Sequence, residues 1–252
     1  MADTVSGSGA SRARTRADRW ARLGGPAAGV LLSVWVGENT GSLGVGLLSA
    51  IPAFGLCAVG GVLLGEYVTA RPRGPVRTAG LAPRRVRDHV PPRLTAVLVV
   101  EAVLLVVLLG VTTALGSADD MGRAGRELSM TCSGVTEAYG PWPGSFYAGP
   151  VLASVALASL ACGYALRRIT RRAGEDQERR ERASAITAAW GLAVSVPLAG
   201  AALTAAGALR GMSCDGAVGS VAVWVLLPVS AIALGTAVRC LVAASVPNRA
   251  SR

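Results

Sequence analysis

The stretch LTAVLVVEAVLLVVLLGVTTAL, Leu94 to Leu115, carries one charged residue, Glu101, in a run otherwise built of Val, Leu, Ala, Thr and Gly. Wound as a helix at 1.5 Å per residue, it is long enough to cross a bilayer core of roughly 30 Å. Working outward, similar charge-poor runs appear at Val45 to Val68, Tyr147 to Leu166, Ala185 to Ala208 and Gly219 to Val242, with a shorter one at Leu23 to Val36 that contains Pro26. The 252-residue chain is 52% hydrophobic and 16% charged, with a mean hydropathy of +0.48. Soluble domains are nearer a quarter charged. The expected fold is therefore all-α, a polytopic transmembrane helical bundle of six spans over residues 23–243. It is preceded by a flexible basic arm (1–22) and followed by a short tail (244–252), with its largest outer loop at 116–149. No small-residue cleavage site follows the first run, which is read as an uncleaved span.

Arginine asymmetry sets the orientation, because cytoplasmic loops retain excess basic residues. With both termini in the cytoplasm, only Arg123, Arg126 and Arg210 of the 25 basic residues fall outside. The expected address is the cell membrane. The inner segments Arg71 to Arg93 and Arg167 to Arg182 are expected to meet anionic lipid headgroups. Glu175 with Arg179 and Glu178 with Arg182 stand four apart, as on a solvated helical link, and Glu66 lies near enough to the inner boundary to reach water. Trp20, Tyr67, Tyr164 and Trp190 fall near the inner boundary, and Trp35, Trp142, Tyr147 and Trp224 near the outer one. All eight read as interface anchors.

Two scarcities exclude chemistry. There is no lysine, which removes the P-loop lysine, a Schiff base and a Ser-Lys dyad. The single histidine, His89, lies in a Pro- and Arg-rich inner segment, so neither an HExxH site nor a Ser-His-Asp triad is expected. No cofactor, no metal site and no catalytic residue is expected. The basic charge reads as membrane anchoring and not as nucleic-acid binding.

Met130-Thr131-Cys132-Ser133-Gly134 matches Met212-Ser213-Cys214-Asp215-Gly216, each at the outer end between two spans. This suggests a parallel repeat of the last two hairpins. Cys57, Cys162 and Cys240 lie within spans as small buried residues. Cys132 and Cys214 are the pair on the oxidising face, and a disulfide joining their neighbouring loops is expected. In the long outer loop Asp119, Asp120, Arg123 and Glu127 form a charge cluster. Its spacing of four predicts a short helix continuing the third span, with Asp119 to Arg123 and Arg123 to Glu127 ion pairs. Pro141-Trp142-Pro143-Gly144 with Phe146 and Tyr147 reads as a rigid turn on the headgroup zone.

Glu101 lies about seven residues into its span, roughly 10 Å deep. A carboxylate there is costly, so it is expected to face the bundle as a neutral, hydrogen-bonding acid. Ser159, Tyr164 and Thr236 are its expected partners at that depth. The inner stretch Gly65-Glu66-Tyr67 and Pro75 to Asp88, the outer Asp119 to Arg123, and Pro141 to Tyr147 resemble a group of uncharacterised actinobacterial multi-span integral membrane proteins. The resemblance implies a membrane address and no activity. The expected function is a non-enzymatic accessory, sensing or permease-like component, with a membrane protein as candidate partner. The alternative is a small-solute or proton-coupled transporter centred on Glu101.

Overall fold

The computed structural model describes residues 23–36, 38, 45–68, 90–170, 176–213 and 216–245. The basic arm, the inner segment that carries His89, and Cys214 lie outside the described residues. Among the described residues six helices and one hairpin follow in order: α1 (Leu23–Val36), α2 (Val45–Val68), α3 (Pro92–Leu115), β1 (Leu128–Cys132), β2 (Val135–Tyr139), α4 (Ser145–Thr170), α5 (Asp176–Gly211) and α6 (Gly216–Ser245). Five of the helices, α2 to α6, are long and apolar enough to cross a membrane. The expected first span is helical over its expected bounds, but it belongs to a shorter class of 10–17 residues. Most of the others outrun their apolar runs, since helical hydrogen bonding continues where the apolar composition ends.

The bundle is organised around α5, which packs against α2, α3, α4 and α6. Its apolar window is 72% buried, whereas those of α3 and α6 are 28% and 22% buried. Composition explains the difference. Ala188, Ala189, Ala202, Ala205 and Ala206 on α5 are almost fully buried, and small side chains let neighbouring backbones close in on all sides. On α3 only the stripe Leu94, Leu98, Glu101, Leu105, Leu109 and Thr112, at spacings of three and four, is buried. Its remaining faces carry Val97, Val100, Val103 and Val107, exposed as a lipid-facing surface would be.

Glycine marks the close approaches. A Cβ at Gly191 of α5 would lie 2.5 Å from Cys240 Sγ on α6 and 3.0 Å from a Leu98 methyl on α3. Another at Gly55 of α2 would lie 3.2 Å from the Ala193 Cα, so α2 and α5 meet almost backbone to backbone. That contact sits one turn before Pro197, which has no N–H to offer the Ala193 carbonyl.

Outside the bundle the expected helical continuation of α3 is absent. The chain turns at Gly116 and forms the antiparallel β1–β2 hairpin, in register from Leu128↔Tyr139 to Cys132↔Val135, around a Ser133-Gly134 turn with φ of 50° and 83°. The two matching pentapeptides therefore occupy different settings: the first ends β1 and turns the hairpin, while the second links α5 to α6.

Candidate functional site

Glu101 is 3% exposed and sits midway along the buried stripe of α3. Its Oε2 accepts a hydrogen bond from Ser195 Oγ on α5, and its Oε1 is buried with no hydrogen-bond partner among the described residues. Leu98 and Leu105, one turn to either side, are completely buried. Cys240 of α6 lies within electrostatic reach. The acid thus faces the bundle as expected, at the junction of α3, α5 and α6, but its expected partners are not there.

Ser159 Oγ instead accepts from Trp190 Nε1 at 2.8 Å and donates to the Val155 carbonyl of its own helix at 2.7 Å. Tyr164 is 68% exposed and points away from the core. Thr236 Oγ1 donates to the Ile232 carbonyl, 3.0 Å away on its own turn. The physical reason is competition: a Ser or Thr on a helix satisfies itself on the carbonyl four residues back unless a stronger acceptor faces it. Ser195 meets that acceptor because α3 and α5 run side by side in the same direction, with Leu98 on Gly191 and Leu105 beside Leu198.

The cap beyond the C-terminal end of α3 is the second polar constellation. Asp119 Oδ1 accepts the Met121 N–H at 3.1 Å and the Arg123 N–H at 2.8 Å. Its Oδ2 accepts Arg123 Nε at 2.8 Å and Arg126 Nη1 at 3.0 Å. The Asp119 to Arg123 pair is therefore present, held by a turn and not by a helix. Among the described residues Arg123 is not paired with Glu127; the second ion pair of Asp119 is with Arg126, which is 5% exposed and whose guanidinium lies 5.0 Å from the Phe146 ring centroid. Burial works against the Asp119 carboxylate, but the Arg123 N–H, the Arg123 side chain with its charge and the Met121 N–H outweigh it and hold its pKa below the ordinary aspartate value. Asp120 is exposed, and among the described residues no group of three or more His, Cys, Asp or Glu is placed to hold a metal.

Three of the eight aromatic anchors belong to the core instead. Trp142 is 2% exposed; its Nε1 donates to the Thr112 carbonyl at 2.7 Å, and Thr112 Oγ1 donates to the Pro143 carbonyl at 2.7 Å. This exchange seals the C-terminal end of α3, where the last helical carbonyls would otherwise lack partners. Tyr147 is buried against Ile51, and Trp190 is spent on Ser159. Trp35, Tyr67, Tyr164 and Trp224 remain exposed on the helices, while Trp20 lies outside the described residues.

The cap is joined to Ser213, just past the end of α5. Glu137 on β2 accepts the Ser213 N–H at 2.9 Å and the Ser213 Oγ–H as well. Leu128 and Trp142 are buried with Leu209, Met212 and Val223. The hairpin and the end of α5 are neighbours, as expected. Cys132 is disulfide-bonded, whereas Cys57, Cys162 and Cys240 are free thiols.

At the opposite end Arg182 Nη1 of α5 lies 3.3 Å from Glu66 Oε1 of α2, both side chains mostly buried. Glu66 is thus paired across the bundle while its side chain keeps 11% exposure. Of the expected solvated link, Arg167 to Thr170 end α4, residues 171–175 with Glu175 lie outside the described residues, and Asp176 to Arg182 open α5, where Arg179 is 5% exposed. No protein family, no curated protein and no solved structure matches this chain.

Proposed function

We propose that this chain is a non-enzymatic integral component of the cell membrane that works through protein contact, as an accessory or sensing subunit. The observation that carries this reading is the setting of Glu101. Its one hydrogen bond comes from Ser195, inside a junction closed along the stripe by the fully buried Leu98 and Leu105. A carboxyl so enclosed ties α3 to α5, as intramembrane polar groups do.

A second reading, a small-solute or proton-coupled transporter centred on Glu101, is favoured by the unpartnered Oε1 and by Pro197, two residues beyond Ser195, where a helix can bend. One experiment separates them. The purified chain and its E101Q variant are reconstituted into vesicles under a pH gradient, with flux read by an internal pH dye. The accessory reading expects no flux from either and near-normal abundance of E101Q, because Gln keeps the shape and a donor. Flux that E101Q abolishes at normal abundance overturns it in favour of transport.

The finer topology belongs to the same proposal: six spans with α1 crossing, and both termini cytoplasmic. The arginine asymmetry supports it, and the Arg-rich inner segments supply the contact with anionic headgroups. We also pair Cys132 with Cys214. The other three cysteines are free thiols, and the Glu137 to Ser213 hydrogen bonds hold the hairpin beside the residue that precedes Cys214.

A further inference from the structure

The β1–β2 hairpin lies as a strap over the outer end of α5, and its fastenings differ along its length. A two-stranded hairpin is marginal in water by itself, so those fastenings decide whether it stays closed. At the base Leu128 and Trp142 are buried in the apolar cluster with Leu209 and Met212. The Tyr139 ring lies so close over Gly211 that any Cβ there would collide with it. Toward the tip the apolar contacts end: Thr131, Val135 and Thr136 are exposed. What fastens the tip is the Glu137 carboxylate on Ser213 and the disulfide at Cys132.

We propose that the hairpin is a thiol-releasable latch, anchored at its apolar base and locked at its tip by the Cys132 disulfide onto the turn between α5 and α6. The proposal rests on the Cys132–Cys214 pairing given above. Its trigger is redox and not mild acid. The Ser213 Oγ–H and N–H hold the Glu137 carboxyl below the ordinary glutamate value, so near neutrality the carboxylate stays an anion and this fastening is constant. Alone it is a pair of hydrogen bonds at exposed groups, which compete with water.

Release needs a dithiol reductant on that face. One donor thiolate attacks a sulfur of the disulfide and forms a mixed disulfide, and the donor's second thiol then closes onto the first. The donor leaves as its own disulfide. Its two electrons and two protons remain on Cys132 and its partner as thiols.

The test uses the purified full chain in lipid nanodiscs. Free thiols are first alkylated, and a non-reducing peptide map is taken. Amide hydrogen exchange over residues 128–139 is then compared with and without dithiothreitol, with α3 as the internal reference. The expected result is a 132–214 linked peptide, exchange near the tip that rises at least several-fold on reduction, and an unchanged α3. C132S should show the fast exchange without any reductant. If the linked peptide is found and cleaved by dithiothreitol but exchange stays the same, the latch is overturned and the pairing stands. If Cys132 is alkylated before reduction, or is bridged to a second copy, pairing and latch both fall.

Discussion

Asp119 closes the segment between α3 and the hairpin with a single carboxylate that accepts two backbone N–H groups and two arginine side chains. Because its pKa in the folded chain is lowered, its contribution to stability is complete above the unfolded aspartate value and is lost as pH falls through the folded one. Digestion with pepsin across the acid range should therefore leave Ser117 to Glu127 intact at pH 3.8, the ordinary aspartate value, and cut it only at lower pH. D119N should be cut throughout that range. Equal cutting of both chains at pH 3.8 would contradict the assignment. At this scale the sequence told which polar residues matter better than it told what they touch. Glu101 was legible because a lone acid among leucines must turn inward. Ser195 was not, because it lies ten residues beyond the expected start of its span at Ala185, against seven for Glu101, and the register that aligns them follows from packing of Leu98 on Gly191. Arg126 was hidden as well, since nothing in its spacing separates it from Arg123.

Among the elements, the junction of α3, α5 and α6 depends on one missing side chain. Gly191 admits Leu98 and Cys240 together, and both are completely buried. G191A should cost about 1–3 kcal/mol by overpacking and lower the thermal midpoint in detergent. C240A combined with G191A should recover part of that loss, since the sulfur is the nearest obstacle. A G191A chain as stable as the parent would refute this packing. The long helices were legible because an apolar run of about 20 residues permits little else in lipid. The hairpin was masked: the spacing of four among Asp119, Arg123 and Glu127 suits a helix and a turn equally well. Its one local signal was the Ser133-Gly134 dipeptide, whose positive φ angles suit a two-residue hairpin turn. The shortness of α1 could be read directly, but not how deeply its Gly25 and Gly29 seat against Cys57 and Gly61 of α2.

For the whole molecule, orientation is the property that decides which compartment sees the cap. Reporter fusions after Thr40, Arg85, Val135, Gln177 and Gly216 are expected to alternate outside, inside, outside, inside, outside. A cytoplasmic signal at Val135 would invert the arrangement and place the hairpin in a reducing compartment. The central position of α5 also imposes an order of events during synthesis. Helices leave the ribosome in sequence, so α2, α3 and α4 enter the bilayer before the helix that each of them packs against exists. In that interval Glu101 has no Ser195 beside it, Glu66 has no Arg182, and the buried stripe of α3 faces lipid or an insertion factor. The nascent chain therefore waits, half built and with an unsatisfied acid in the membrane, for its fifth helix to arrive.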